Sequence, residues 1–298
     1  MEKIKLGIIG ISEGNGHPYS WSAIFNGYDT QAMKLCPFPV IPQYLSEREF
    51  PSDFLTEIGE VTHIYTQDYE LSKQIAKASN IETIVEKPED LIGNVDAILL
   101  ARDDAENHYE MAKVFIEAGL PIYIDKPLAL SKKEAQQIFK FQKYANQVFT
   151  CSALRFAKEL IISETERKEI GDILHVEASI PNKWDTYSIH ILEPIISQIP
   201  SRGKLLDVKS VKKHGFNHCL IEWENTTAYI KTTGENKNAF DFKYYGKTQV
   251  LIKTFTDSFS CFKNALKMFV DIINKENKTF INEEEVIEII QIIERAKK

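Results

Sequence analysis

The sequence reads as an α/β protein in two parts: a doubly wound parallel sheet over residues 1–127, then an α+β part over 128–298 with a largely antiparallel open sheet. Three observations lead there. Apolar strand-like runs alternate with helical periods through the first half, the pattern of a parallel sheet with crossover helices. A glycine-rich turn, Gly10-Ile-Ser-Glu-Gly-Asn-Gly16, directly follows the first apolar run. After Phe149, extended runs succeed one another with few helices between them, as antiparallel strands do.

Taken in order, residues 4–11 form an apolar strand that enters the glycine-rich turn. Pro18 suits the first turn of the next helix and Gly27 its end. Residues 61–65 form a second strand, 69–78 a helix and 96–101 a third strand. The helix over 105–118 closes at Gly119, as a C′ glycine does. Residues 121–124 form the next strand. It must stop before Pro127, which cannot donate to a sheet ladder, so Lys126 is left at its carboxyl end. In an open α/β sheet that rim binds ligands. Ser131 reads as a helix N-cap, with Glu134 completing a capping box. Residues 36–51 carry Pro37, Pro39, Pro42 and Pro51, which argue against regular helix or central strand. Their apolar content reads equally as an ordered excursion near a binding cleft or as surface padding. In the second half, residues 173–180, 205–213, 218–223, 227–232 and 240–245 read as strands. Amphipathic helices over 265–274 and 283–296 close the chain.

Composition narrows the function. The 298 residues carry a formal net charge of -7, which argues against a general phosphate-backbone binder, so no nucleic-acid partner is expected. Cys36, Cys151, Cys219 and Cys261 are far apart and form no C-x-x-C pair. They read as reduced thiols, with neither a disulfide frame nor a metal site. No apolar run approaches the roughly 18 residues of a membrane span, and residues 1–7 show no signal-peptide core. A cytoplasmic location without a membrane partner is expected.

The stretch from Val95 to Ser131, with Ile122-Tyr-Ile-Asp-Lys-Pro-Leu-Ala-Leu-Ser131 at its end, resembles the glucose–fructose oxidoreductase/inositol dehydrogenase/MocA family. That family's Glu-Lys-Pro motif follows the fifth strand of a Rossmann-like dinucleotide-binding domain; Asp125 stands here for the glutamate. The resemblance implies NAD or NADP as cofactor. It also implies hydride transfer between nicotinamide and a secondary alcohol or ketone, on a carbohydrate-like small molecule: a sugar, cyclitol or nucleotide sugar. The rival reading is a non-catalytic, nucleotide-sensing regulator or assembly subunit on the same fold.

The glycine turn would bind pyrophosphate. Gly-x-Gly-x-x-Gly places glycines at 10, 12 and 15, but Ser12 and Asn15 take two of those places, with Gly14 and Gly16 alongside. The fingerprint is degraded or carries an insertion. Gly10, Ile11, Ser12, Gly14 and Asn15 are its candidate contacts. Thr66 stands where the ribose-binding acid belongs, followed by Gln67 and Asp68. A neutral threonine should discriminate poorly, leaving NADH and NADPH within about tenfold, unless Asp68 takes the role. Ala101, Arg102 and His108 match the family's nicotinamide-ribose segment, with Arg102-Asp103 replacing the more usual Thr-Pro type pair. His108 reads equally as a helix cap. Asp125 and Lys126 complete the cofactor set, and Lys126 is also the catalytic cation.

Arg155 reads as a substrate contact or a salt-bridged anchor. The segment Asn182-Lys-Trp-Asp-Thr-Tyr-Ser-Ile-His190 resembles the family helix with a substrate-facing histidine, which makes His190 the candidate base and Trp184, Asp185 and Tyr187 substrate contacts. Asp185 lies five before His190, off its helical face unless it precedes the helix; Tyr187, three before, shares that face. Finally, Trp223, Tyr229, Phe240, Phe242 and Tyr244 suggest a sheet with one face packed on helices of its own chain and the other left as a large apolar patch. Because the family pairs through that sheet, a homodimer or homotetramer is expected.

Overall fold

In the computed structural model, residues 3–236, 240–275 and 281–297 are described. The chain divides into one unit of Met1–Ala129, Gln136–Thr150 and Phe262–Ile281, and another of Leu130–Ala135, Cys151–Cys261 and Asn282–Lys298.

The first unit holds β1 (Ile4–Gly10), β2 (Gly59–Thr66), β3 (Thr83–Ile84), β4 (Ala97–Leu100), β5 (Ile122–Ile124) and β6 (Val148–Phe149). They lie in the order β3-β2-β1-β4-β5-β6, every neighbouring pair parallel. This is the doubly wound dinucleotide-binding order, whose direction reverses between β1 and β4. The strands are apolar on both faces because helices cover both: Leu6, Ile8, Ile98, Leu99 and Ile122 are fully buried. The helices are α1 (His17–Asn26), α2 (Thr30–Met33), α3 (Val40–Ser46), α4 (Tyr69–Ala78), α5 (His108–Ala118) and α6 (Lys132–Lys140), which runs across the division between the units. A Cβ on Gly10 would come within 2.3 Å of Pro18, so only glycine lets α1 start against the end of β1. Gly119 caps α5 in the left-handed conformation, as its position implies.

The proline-rich segment corrects the expectation that it holds no regular helix. Pro42 occupies the third position of α3. An N–H there has no intrahelical acceptor, so its loss does no harm. Tyr44 of α3 donates its hydroxyl to Ser20 of α1 (2.5 Å), fixing the excursion to the glycine-turn helix.

The second unit is built on β7 (Ile173–Ile180), β8 (Leu205–Lys213), β9 (Phe216–Trp223), β10 (Thr227–Thr232), β11 (Asp241–Gly246) and β12 (Val250–Thr254), in the order β12-β11-β7-β10-β9-β8. All pairs are antiparallel except β7 with β10. The remaining helices are α7 (Glu164–Ile170), α8 (Trp184–Tyr187), α9 (Ile189–Gln198), α10 (Ser258–Ile273) and α11 (Glu283–Arg295); most of α10 belongs to the first unit. Trp223, Phe242 and Tyr244 are buried on the inner face of the sheet. These three lie on the face expected to pack, and it is the expectation of a large apolar patch on the other face that is corrected. The outer face instead runs Ile252, Lys243, Glu177, Tyr229, Leu220, Lys209 across the strands in register, apolar and charged side chains mixed. No described helix is long and apolar enough to cross a membrane.

Candidate active site

β5 delivers Asp125 and Lys126 to the carboxyl edge of the parallel sheet. Asp125 is buried, and its Oδ2 accepts from Asn15 Nδ2 (2.8 Å) and pairs with His17 Nδ1 (2.6 Å). Its Oδ1 accepts the Lys126 N–H (2.7 Å). Burial alone would raise the Asp125 pKa. The His17 and Lys126 charges, with the hydrogen bonds, outweigh that and hold the carboxyl well below the usual range. One ionised carboxylate therefore joins the glycine turn to the end of β5. His17 is also stacked on Trp21 (centroids 4.8 Å apart) and meets Phe262 edge-on at 5.0 Å. Reading the sequence missed His17, although its place beside the turn was a signal.

Lys126 is only 7% exposed, with Nζ 3.4 Å from Asp103 Oδ2. Asp103, beyond the end of β4, accepts the Ser12 hydroxyl (2.5 Å) at Oδ1 and donates its own N–H to Ser12 Oγ (3.0 Å). The ends of β1, β4 and β5 thus meet around one ammonium. Ala101, the residue after β4, donates its N–H to the Ile9 carbonyl (2.8 Å).

Several candidate contacts are engaged within the protein. Gln67 clamps the backbone of Ile11, accepting its N–H (3.1 Å) and donating to its carbonyl (2.8 Å). Arg102 forks onto Asp104 (2.9 and 2.6 Å) and donates to Gln67 (3.1 Å). Burial raises the Asp104 pKa, but Arg102 and Asn107 more than offset it, so this carboxyl too sits below its usual value. His108 is fully buried, with its ring nitrogens on the Leu128 (3.1 Å) and Arg102 (2.8 Å) carbonyls. Both nitrogens are thus engaged within the protein, which favours the structural reading of His108. Thr66 donates its hydroxyl to the Asp68 carbonyl (2.6 Å).

A dinucleotide still fits this edge. Gly14 has φ 79°, and a Cβ there would meet nothing within 4 Å, so the turn has an open apex. The N-terminal amides of α1 are already satisfied: His17 N–H donates to Asn15 Oδ1 (2.8 Å), Pro18 has none, and Tyr19 and Ser20 donate to the Gly16 carbonyl (3.1 and 3.2 Å). A pyrophosphate would therefore be held by the amides of the turn instead of those of the helix. Beyond it, a pocket of about 310 Å³ is lined by Tyr65, Thr66, Gln67, Tyr69, Val85 and Glu86. A more apolar one of about 230 Å³ shares Tyr65 and adds Ile9, Met111 and Val114.

The second unit carries a separate cluster. His190, in the first turn of α9, has its Nδ1 2.6 Å from the hydroxyl of buried Ser152. The Tyr187 ring lies edge-on to it at 5.4 Å. Asp185 is on α8 and pairs with Lys297 (3.5 Å). Arg155 bridges Glu193 of α9 (2.9 Å) and Glu285 of α11. Burial would lower the Arg155 pKa, but these two carboxylates drive it up instead. Trp184 is buried and donates to the Ile293 carbonyl of α11 (3.2 Å). Arg155 and Trp184 are anchors of α8 and α9 on α11, which favours the structural reading of Arg155. Among the described residues no group of three or more His, Cys, Asp or Glu could hold a metal ion.

Residues 4–152, half of the chain, match the oxidoreductase family with an NAD-binding Rossmann fold. Similar solved structures include an oxidoreductase from Thermotoga maritima, with a TM-score of 0.74 at 15% identity, covering 99% of this chain and 96% of that one. A myo-inositol 2-dehydrogenase from Lactobacillus plantarum gives 0.73 at 13% identity, covering 99% and 96%. A UDP-N-acetylglucosamine 3-dehydrogenase from Acidithiobacillus ferrooxidans gives 0.73 at 13%, covering 99% and 97%. At such identities the likeness is one of fold. No curated protein matches the sequence.

Proposed function

We propose, from the premise that this chain belongs to the glucose–fructose oxidoreductase/inositol dehydrogenase/MocA family of oxidoreductases, that it is a dehydrogenase or reductase acting on a CH–OH group. Its substrate is a sugar, cyclitol or nucleotide sugar, the class named by the inositol and UDP-N-acetylglucosamine dehydrogenases of similar fold. The observation that carries this reading is Lys126, an ammonium nearly buried at the ligand-binding rim of the sheet and positioned through its own backbone by Asp125.

When bound, NAD(P) supplies the hydride acceptor or donor. Lys126 donates a hydrogen bond to the substrate oxygen and stabilises the negative charge that develops there as the alcohol loses its proton. A charge fixed in a nearly dry site needs no reorganisation at that moment. His190, in the second unit, is the candidate general base that takes up a proton, with Ser152 orienting its ring through Nδ1. In the reverse direction it returns that proton. The four buried thiols suit a reducing, cytoplasmic setting. The exposed Leu220, Tyr229 and Ile252 on the outer sheet face suit pairing of two copies.

The test is titration of the full chain with NADH and NADPH by fluorescence, followed by turnover against polyols, sugars and nucleotide sugars. Binding and turnover support the proposal. Binding without turnover on any of them favours the regulator, and no binding of either nucleotide overturns the dehydrogenase reading.

A further inference from the structure

We infer that Glu86, at the end of β3, sets nucleotide preference by taking the adenosine ribose 2′-hydroxyl, and that the chain therefore selects NAD(H) over NADP(H). The inference rests on the dinucleotide reading of the parallel sheet. It departs from the poor discrimination that Thr66 alone implies.

In this strand order the adenosine half of a dinucleotide belongs over β1, β2 and β3, on the side of the switch point away from β4. The pocket there, about 310 Å³, has one ionisable carboxylate in its lining, Glu86. The residues that would ordinarily compete for the role are engaged elsewhere. Thr66 Oγ1 donates to the Asp68 carbonyl (2.6 Å) and lies 2.8 Å from Ser72 Oγ. Asp68 is the N-cap of α4, with Oδ1 accepting the Glu70 (2.9 Å) and Leu71 (3.2 Å) N–H groups. Gln67 is closed on both polar atoms of the Ile11 peptide backbone. Glu86 is exposed and makes no such bond among the described residues.

The cations tell the same story. A 2′-phosphate brings a charge of about −1.5 to −2 and needs a cation to receive it. No lysine or arginine lines the pocket among the described residues. Arg102 is forked onto Asp104, and Lys73, 4.7 Å above the Tyr69 ring, is paired with Glu70 at 2.7 Å. The carboxylate accepts a hydrogen bond from a ribose hydroxyl but repels a phosphate in its place. Both effects favour NAD(H).

The experiment is equilibrium titration of the full chain with NADH and NADPH, followed by nucleotide fluorescence, for the wild type, Glu86→Gln and Glu86→Arg. A hydrogen bond to a charged group corresponds to a ratio on the order of 10- to 100-fold, the preference expected for NADH in the wild type. Glu86→Gln should remove most of it. Glu86→Arg should reverse it, with NADPH binding weakening as salt is raised. Because Glu86 is exposed, melting temperatures should not change, and that measurement separates a binding effect from a folding one. Equal binding of the two nucleotides by the wild type, or a preference unchanged in Glu86→Gln, would overturn the inference and leave the dehydrogenase reading standing. Failure to bind either nucleotide would overturn both.

Discussion

Replacing Asp125 by alanine removes the acceptor that the glycine turn and β5 share. Three hydrogen bonds go with it, from Asn15 Nδ2 (2.8 Å), His17 Nδ1 (2.6 Å) and the Lys126 N–H (2.7 Å). The nearly buried Lys126 ammonium keeps Asp103, at 3.4 Å. Removing one member of a buried ion pair costs about 3–5 kcal/mol. The lower end applies here, because Lys126 retains a carboxylate, so the expected loss is about 3 kcal/mol. Urea unfolding followed by tryptophan fluorescence reads it, since Trp21 stacks on both His17 and Tyr123. The pH dependence has a definite sign. A carboxyl whose pKa is lowered by folding stabilises the protein above its unfolded value, near 3.9, and that contribution disappears as pH falls through the folded value. The gap between wild type and Asp125→Ala should therefore persist down to about pH 4 and shrink below it. A variant within about 0.5 kcal/mol of wild type at neutral pH, the scale of an ordinary surface change, would refute the reasoning. So would a gap that widened in acid.

Lys126→Ala should lower kcat by about 100-fold or more while NADH titration shows little change in affinity; near wild-type turnover would remove Lys126 from the mechanism. If His190 is the base, kcat/KM for alcohol oxidation should rise with pH through one ionisation that His190→Asn abolishes, and a profile of unchanged shape would end that assignment. Asp125→Glu, although it restores the family's usual residue, should cost about 1–3 kcal/mol by overpacking, read by the same urea titration, because Asn15 and His17 already fill the space the longer side chain needs. Tyr229→Glu, on the outer sheet face, should convert a dimer to monomers in sedimentation velocity; a wild type that is monomeric at micromolar concentration would contradict the association.

What was legible in the sequence follows the range of the forces involved. The parallel sheet shows in local runs such as Ile-Leu-Leu over β4 and in the stop that Pro127 imposes. The facing of the second sheet is equally local. Phe242 and Tyr244 are two apart, so they share a face, and Lys243 between them marks the other. β12 went unseen, being a five-residue strand at a sheet edge with alternating exposure. The proline count suppressed α3, where the position of Pro42 mattered more than the number of prolines. His17 and Asp125 are 108 positions apart, and no local pattern joins them. The same holds for Ser152 with His190, 38 apart, and for Glu86, whose significance depends on where Thr66, Gln67 and Asp68 direct their side chains.

Two departures from the family pattern, aspartate for glutamate before Lys126 and a rearranged glycine turn, are connected through these contacts. Aspartate is one methylene shorter, so its carboxylate stays close to the end of β5 and partners must come to it. The turn supplies them: Asn15 and His17 reach Asp125 Oδ2, and Asn15 Oδ1 simultaneously caps the His17 N–H. That arrangement takes up an amide at the start of α1 and leaves the apex at Gly14 open. It also puts His17 beside the strand end that precedes Lys126 and a side-chain donor, Asn15, where the third fingerprint glycine belongs. Counted as motif matches, the two changes are independent losses that weaken the case for a dinucleotide site. Joined by three hydrogen bonds on one buried carboxylate, they form a single alternative way of fixing the turn to the lysine strand, and each substitution makes sense only in the presence of the other.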